Sequence, residues 1–100
     1  MEQEQLIPAE VICTHHNIEY AFIHSLEEAG LIEVNQVEGK AFVHPGQLND
    51  LEKFICFHYE LEINLEGIEA IAGLLQRMHA MQEEIALLRT RLRAHDSYSL

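Results

Sequence analysis

Residues 64–93 read NLEGIEAIAGLLQRMHAMQEEIALLRTRLR. Taken in sevens, this stretch places Ile71, Met78, Ile85 and Leu92 at one seam position and Leu74, Met81 and Leu88 at the other. Three successive heptads without a polar intrusion predict a long helix with a continuous apolar seam. Gly73 costs about 1 kcal/mol relative to Ala and is tolerated. At ~1.5 Å per residue such a helix extends roughly 45 Å, longer than a small domain is wide. The seam therefore needs a cover. A second copy of the chain is the simplest one, which predicts a homodimer; the other resting place is the chain's own domain.

Asn64 suits the N-cap of this helix, with Glu66 and Glu69 near its positive end and Arg89, Arg91 and Arg93 near its negative one. Ahead of it, Leu48, Leu51, Phe54, Ile55, His58 and Leu61 recur at helical spacing to about Glu62, a further helix. His44-Pro45-Gly46 breaks the chain before that. Leu31–Val37 and Lys40–His44 are β-prone runs flanking Glu38-Gly39, a two-residue hairpin loop. Pro8 fits the first turn of a helix running from Ala9 to His15, with Val11 and Ile12 available to the core. Asn17 tolerates the left-handed backbone of a tight turn. A second helix, Ile18–Ala29, then carries Phe22, Ile23 and Leu26 on one face and Glu19, Glu27 and Glu28 on the other, and Gly30 ends it. Met1–Gln5 and His95–Leu100 read as tails.

The pattern predicts a mainly α-helical single domain over residues 1–100. Residues 7–45 form a winged helix-turn-helix with a small β-hairpin wing, and residues 46–93 a two-helix arm ending in the long helix.

Charge is uneven along the chain. Residues 1–70 hold fourteen acidic groups against Lys40 and Lys53; residues 71–100 hold four arginines against Glu83, Glu84 and Asp96, within a net charge of −11. An acidic front repels phosphate backbones and anionic lipid, and steers the molecule toward a basic partner. No run approaches the ~20 apolar residues of a membrane span, and the first residues are not a signal peptide, so the expected setting is the cytoplasm. Cys13 and Cys56 form no C-x-x-C pair and are expected to act as small buried hydrophobes.

The order of helix, turn, helix, wing, helix and long helix resembles the MerR-like winged-helix proteins. Within them it resembles most the bacterial chaperone modulators of the CbpM family. The residues that carry the resemblance are Val11-Ile12-Cys13 with His15, Ala29-Gly30-Leu31-Ile32, Ala41-Phe42-Val43, Phe57-His58-Tyr59-Glu60-Leu61, Asn64-Leu65-Glu66-Gly67-Ile68, Leu74-Leu75, and Leu88-Arg89-Thr90-Arg91-Leu92. It implies a small cytosolic protein that binds the J-domain of a DnaJ/CbpA-type co-chaperone and inhibits it. MerR-type regulators carry arginines at positions matching Ala21, His24 and Ala41 here. None of these is a fixed cation, and the second helix holds no Lys or Arg at all. A duplex reader needs such cations, so nucleic acid is not the expected partner.

J-domains present a basic face on their second helix, which the acidic front would complement. The candidate contact residues are Glu27, Glu28, Glu33, Glu38, Asp50, Glu52, Glu60 and Glu62, with Tyr20, Phe57 and Tyr59 as apolar anchors. Two alternatives remain: a MerR-like transcription regulator that relies on another subunit for DNA contact, and an adaptor with a different partner. Cys13, His15, His16 and His24 match no zinc-ligand spacing, so no metal or cofactor is expected; His44, His58 and His79 are expected to tune surface charge near neutral pH. With no nucleophile elbow, Gly-rich phosphate loop or paired carboxylates, no enzyme chemistry is expected.

Overall fold

The computed structural model describes residues 5–98, with side chains through Asp96. Residues 1–4 of the tail expected at Met1–Gln5 lie outside them. The described elements are β1 (Ile7–Pro8), α1 (Ala9–His16), α2 (Tyr20–Glu28), β2 (Asn35–Val37), β3 (Lys40–Val43), a 3₁₀ turn (Pro45–Gln47), α3 (Leu48–Ile55), a π-helical turn (Cys56–Glu60) and α4 (Leu65–Tyr98). This is the mainly helical winged helix-turn-helix with a long C-terminal helix. The chain divides into two compact units, one ending at Glu69 and one beginning at Ala70.

The turn between α1 and α2 forms as Asn17 predicts. Its backbone is left-handed (φ 57°, ψ 51°), and Ile18 N–H donates to the Cys13 carbonyl at 3.0 Å. Gly30 (φ 78°) closes α2 in the same way, with Leu31 N–H donating to the Leu26 carbonyl at 2.9 Å. Glu38 (φ 52°) and Gly39 (φ 81°) turn the β2–β3 hairpin, both left-handed as a type I′ loop requires.

Twelve apolar side chains form the described core, among them Ile12, Phe22, Ile23, Leu26, Val43, Leu51, Phe54 and Ile68. Fully burying each of the larger ones contributes about 1.5–3 kcal/mol. Val11 is not among them. It is 53% exposed, because Ala9, Ile12 and the half-buried His16 follow the helical period along the inner face of α1 and Val11 lies a third of a turn away.

Several boundaries differ from the sequence expectation. Pro8 precedes α1 as its N-cap, with extended backbone, and pairs with Phe42 while Ile7 pairs with Val43. The wing is thus three-stranded, in the order β1-β3-β2; a two-residue strand has no period to read. Leu31–Val34 is not strand. Ile32 turns into the core, and the Gln47 amide takes the place of a neighbouring strand for Glu33, accepting from its N–H and donating to its carbonyl, both at 2.7 Å. Helix α2 begins at Tyr20, two residues late, because Ile18 is buried and Glu19 N–H donates to the Tyr59 hydroxyl at 3.4 Å.

The helix expected to run to Glu62 widens after Ile55. Leu61 N–H reaches back to the Cys56 carbonyl and Ile63 N–H to that of Phe57, and Glu62 ends the turn at φ 57°. The widened turn shifts the phase of the helix. Leu61 is exposed as a result, while His58 stacks on Phe22 at 4.7 Å between centroids and Tyr59 meets the same ring edge-on at 5.4 Å. Asn64 caps α4, its Oδ1 accepting from Gly67 N–H at 2.8 Å, an interaction worth about 1 kcal/mol. Helix α4 continues through His95 to Tyr98, where a tail was expected. Among the described residues no helix is long and apolar enough to cross a membrane.

Candidate functional site

The outward face of α2 gathers three of the expected contact residues around one that was not singled out as such. His24 sits one turn before Glu27 and Glu28, so the helix repeat alone brings them together. Its Nε2 lies 3.2 Å from a Glu28 oxygen and its Nδ1 3.7 Å from one of Glu27, and the Tyr20 ring lies nearly parallel to the imidazole with centroids 6.4 Å apart. Glu28 and Tyr20 are exposed and Glu27 is half-buried. What this face offers chemically is carboxylate oxygens beside an aromatic edge. Such a face complements the basic side chains of a protein and repels a phosphate.

The remaining expected residues lie apart from that cluster. Glu38 sits at the hairpin tip, exposed, beside exposed Lys40. Glu33 has its backbone held by Gln47, with its carboxylate outward. On α3, Asp50 and Glu52 are exposed, and Glu52 reaches His16 of α1 at 3.6 Å. Phe57 is half-buried. Tyr59 is 43% exposed, yet its ring and hydroxyl bind Phe22 and Glu19 within the same unit, so only its outer edge is open. Beside α1, α2 and the hairpin runs a groove of about 460 Å³, with Cys13, Thr14, Tyr20, Gln36 and Lys40 among its walls.

His58 is not an exposed surface group. Half-buried, it stacks on Phe22 and its Nδ1 lies 3.0 Å from the Ile63 carbonyl, which ties the two ends of the π-helical turn together. Neither cysteine is a fully buried hydrophobe either; both are half-buried thiols. Burial pushes the Cys13 thiol up. Cys56 is raised first because its Sγ donates to Glu60 Oε1 at 3.3 Å, which holds the proton, and further by burial and the nearby negative charge. Glu60→Ala removes both acceptor and charge. Iodoacetamide labelling of Cys56 at pH 8, followed peptide by peptide, is expected to quicken severalfold in that variant. An unchanged rate would show that the contact does not hold the thiol. Among the described residues no three His, Cys, Asp or Glu side chains are grouped closely enough to hold a metal ion.

On α4 the seam is open in the single chain. Ile71 is half-buried, and Leu74, Met78, Met81, Ile85, Leu88 and Leu92 are each between 49% and 60% exposed. Stripes of large exposed apolar side chains are the kind of surface on which protein interfaces are commonly built.

A family model described as MerR HTH family regulatory protein matches residues 7–90. No curated protein and no solved structure matches the chain.

Proposed function

The chain belongs to the MerR HTH family of regulatory proteins, and from that premise we propose that it is a non-catalytic cytoplasmic regulator of a co-chaperone. It binds the J-domain of a DnaJ/CbpA-type protein through its acidic front, inhibits it, and is itself a homodimer through α4. The observation that carries this reading is the outward face of α2. Where a duplex reader presents arginine and lysine, this helix presents Glu27 and Glu28 and has no fixed cation. Lys40 is the one Lys or Arg in the wing and in everything before it, so few counterions could be released from a duplex. The CbpM-like order of residues around Phe57–Leu61 and Asn64–Ile68 supports a J-domain as the basic protein that complements this surface.

The family description favours a second reading, a DNA-binding transcription regulator. One pair of titrations separates them. The purified chain is expected to bind a purified J-domain saturably, more weakly as salt rises, and to slow J-domain-stimulated ATP hydrolysis by a DnaK-type chaperone. It is expected to leave a 30-base-pair duplex unshifted at 50 mM salt. A salt-dependent duplex shift without J-domain binding would overturn the proposal in favour of the regulator. Binding to neither would leave an adaptor with another partner.

A further inference from the structure

We propose that His24 makes the outward face of α2 pH-sensitive. Protonated, its imidazolium stands where the partner's cation would; deprotonated, it leaves Glu27 and Glu28 to the partner. This rests on the J-domain reading above and adds how the same face is regulated.

The geometry that carries it is acid at both ring nitrogens. Nε2 lies 3.2 Å from a Glu28 oxygen and Nδ1 3.7 Å from a Glu27 oxygen. A neutral imidazole has one N–H and one lone pair, so in this position it turns a lone pair toward a carboxylate. Only the imidazolium presents an N–H at both nitrogens, and so suits both neighbours at once. Water and a partner side chain also reach the group, since the side chains of His24 and Glu28 are 53% and 70% exposed.

The elements packed around α2 leave this pairing to itself. Helix α1 brings Glu10, His15 and His16, the π-helical turn His58, Tyr59 and Glu60, and the wing Lys40. Among the described residues the ion-pair partners of His24 are Glu27 and Glu28 alone. His16 instead reaches Glu52 of α3 at 3.6 Å, and His58 and Tyr59 lie against Phe22, which is buried. Tyr20, the remaining titratable neighbour, flanks the ring on α2 itself.

Imidazole is the side chain that changes charge between pH 5 and 8. As pH falls through that range, the formal charge of His24, Glu27 and Glu28 together goes from −2 to −1. A basic partner then meets a weaker field and must displace a cation already in place. Association therefore slows as pH falls and quickens as pH rises. The coupling is reciprocal: a bound cation disfavours the imidazolium, so binding in mild acid expels a proton from this site.

The test follows the association of the full chain with a purified J-domain at 20 mM salt, at pH 6 and pH 8. Titration of the J-domain and of the other histidines is common to all variants, so the comparison between variants isolates His24. At pH 6 His24→Gln is expected to bind about threefold faster than the parent, as one charge of a steering surface is regained, and at pH 8 at the parent's rate. His24→Lys, a cation at both pH values, should be slow at both. Calorimetry at pH 6 in buffers of different ionisation enthalpy should show fewer protons released on binding by His24→Gln than by the parent. A His24→Gln variant with the parent's full pH dependence and proton release would overturn the inference while leaving J-domain binding intact. So would a His24→Lys variant as fast as the parent at pH 8. No binding by the parent at either pH would overturn the J-domain reading, and this inference with it.

Discussion

Replacing Met81 and Leu88 with glutamate should convert the protein to a monomer. Both positions lie in the middle of the α4 seam, so a dimer would bury four carboxylates with no cation opposite them. Removing an uncompensated charge from water costs several kcal/mol even after relaxation, and each ~1.4 kcal/mol is tenfold in a dissociation constant. A rise of a thousandfold or more is expected, enough to leave monomer at micromolar concentration in sedimentation or light scattering. A dimer of unchanged affinity would place the interface elsewhere.

The same double substitution should leave the unit ending at Glu69 folded. Met81 and Leu88 are 56% and 52% exposed in the single chain, so no core contact is lost. What should change is the long helix itself. A solitary helix holds together only marginally in water, and part of the far-UV helical signal should disappear with the dimer. Leu51, fully buried on α3, is the contrasting position: Leu51→Ala should cost about 2–5 kcal/mol in unfolding free energy with no direct effect on association. The two substitutions therefore separate folding of the front unit from pairing of α4.

The elements that the sequence disclosed are those whose signal is local or repeats. Heptad spacing revealed α4, and the αL-tolerant Asn17 and Gly30 revealed the ends of α1 and α2. Glu38-Gly39 revealed the hairpin. What escaped depends on partners distant along the chain. Leu31–Val34 has β-prone residues, but the Gln47 side chain, fourteen positions from Glu33, replaces the strand that would have paired with it. The π-helical turn follows a regular apolar period until Phe22 draws in His58 and Tyr59, an interaction spanning some thirty-six residues that periodicity cannot register. The carboxylates of α2 could be read directly, since helix spacing alone brings Glu27 and Glu28 onto one face. The role of His24 among them needed only the same i, i+3 and i, i+4 count.

Reversing Glu27 and Glu28 to lysine should slow J-domain association while leaving the fold intact. The two substitutions move the formal net charge from −11 to −7, all of it on the one face proposed to meet a cationic surface. Electrostatic steering raises association rates by ~10–10³ over a neutral surface, so a fall of about tenfold or more in on-rate is expected at 20 mM salt. Surface charges are screened beyond about 10 Å at 0.1 M ionic strength, so the difference from the parent should shrink as salt approaches 0.3 M. Dissociation should change less, because rim charges act mainly on encounter.

The fold itself has reason to accept the reversal. Glu27 and Glu28 occupy the last turn of α2, which holds no basic residue, and carboxylates there oppose the helix dipole. Lysine in their place would be favoured by about 0.3–1 kcal/mol, offsetting the lost contacts to His24. A slower association by a protein with an unchanged or slightly higher midpoint of unfolding therefore reports on the contact face alone. An on-rate equal to the parent's at low salt would remove α2 from the interface. The exposed carboxylates of α3, Asp50 and Glu52, would then be the next to reverse.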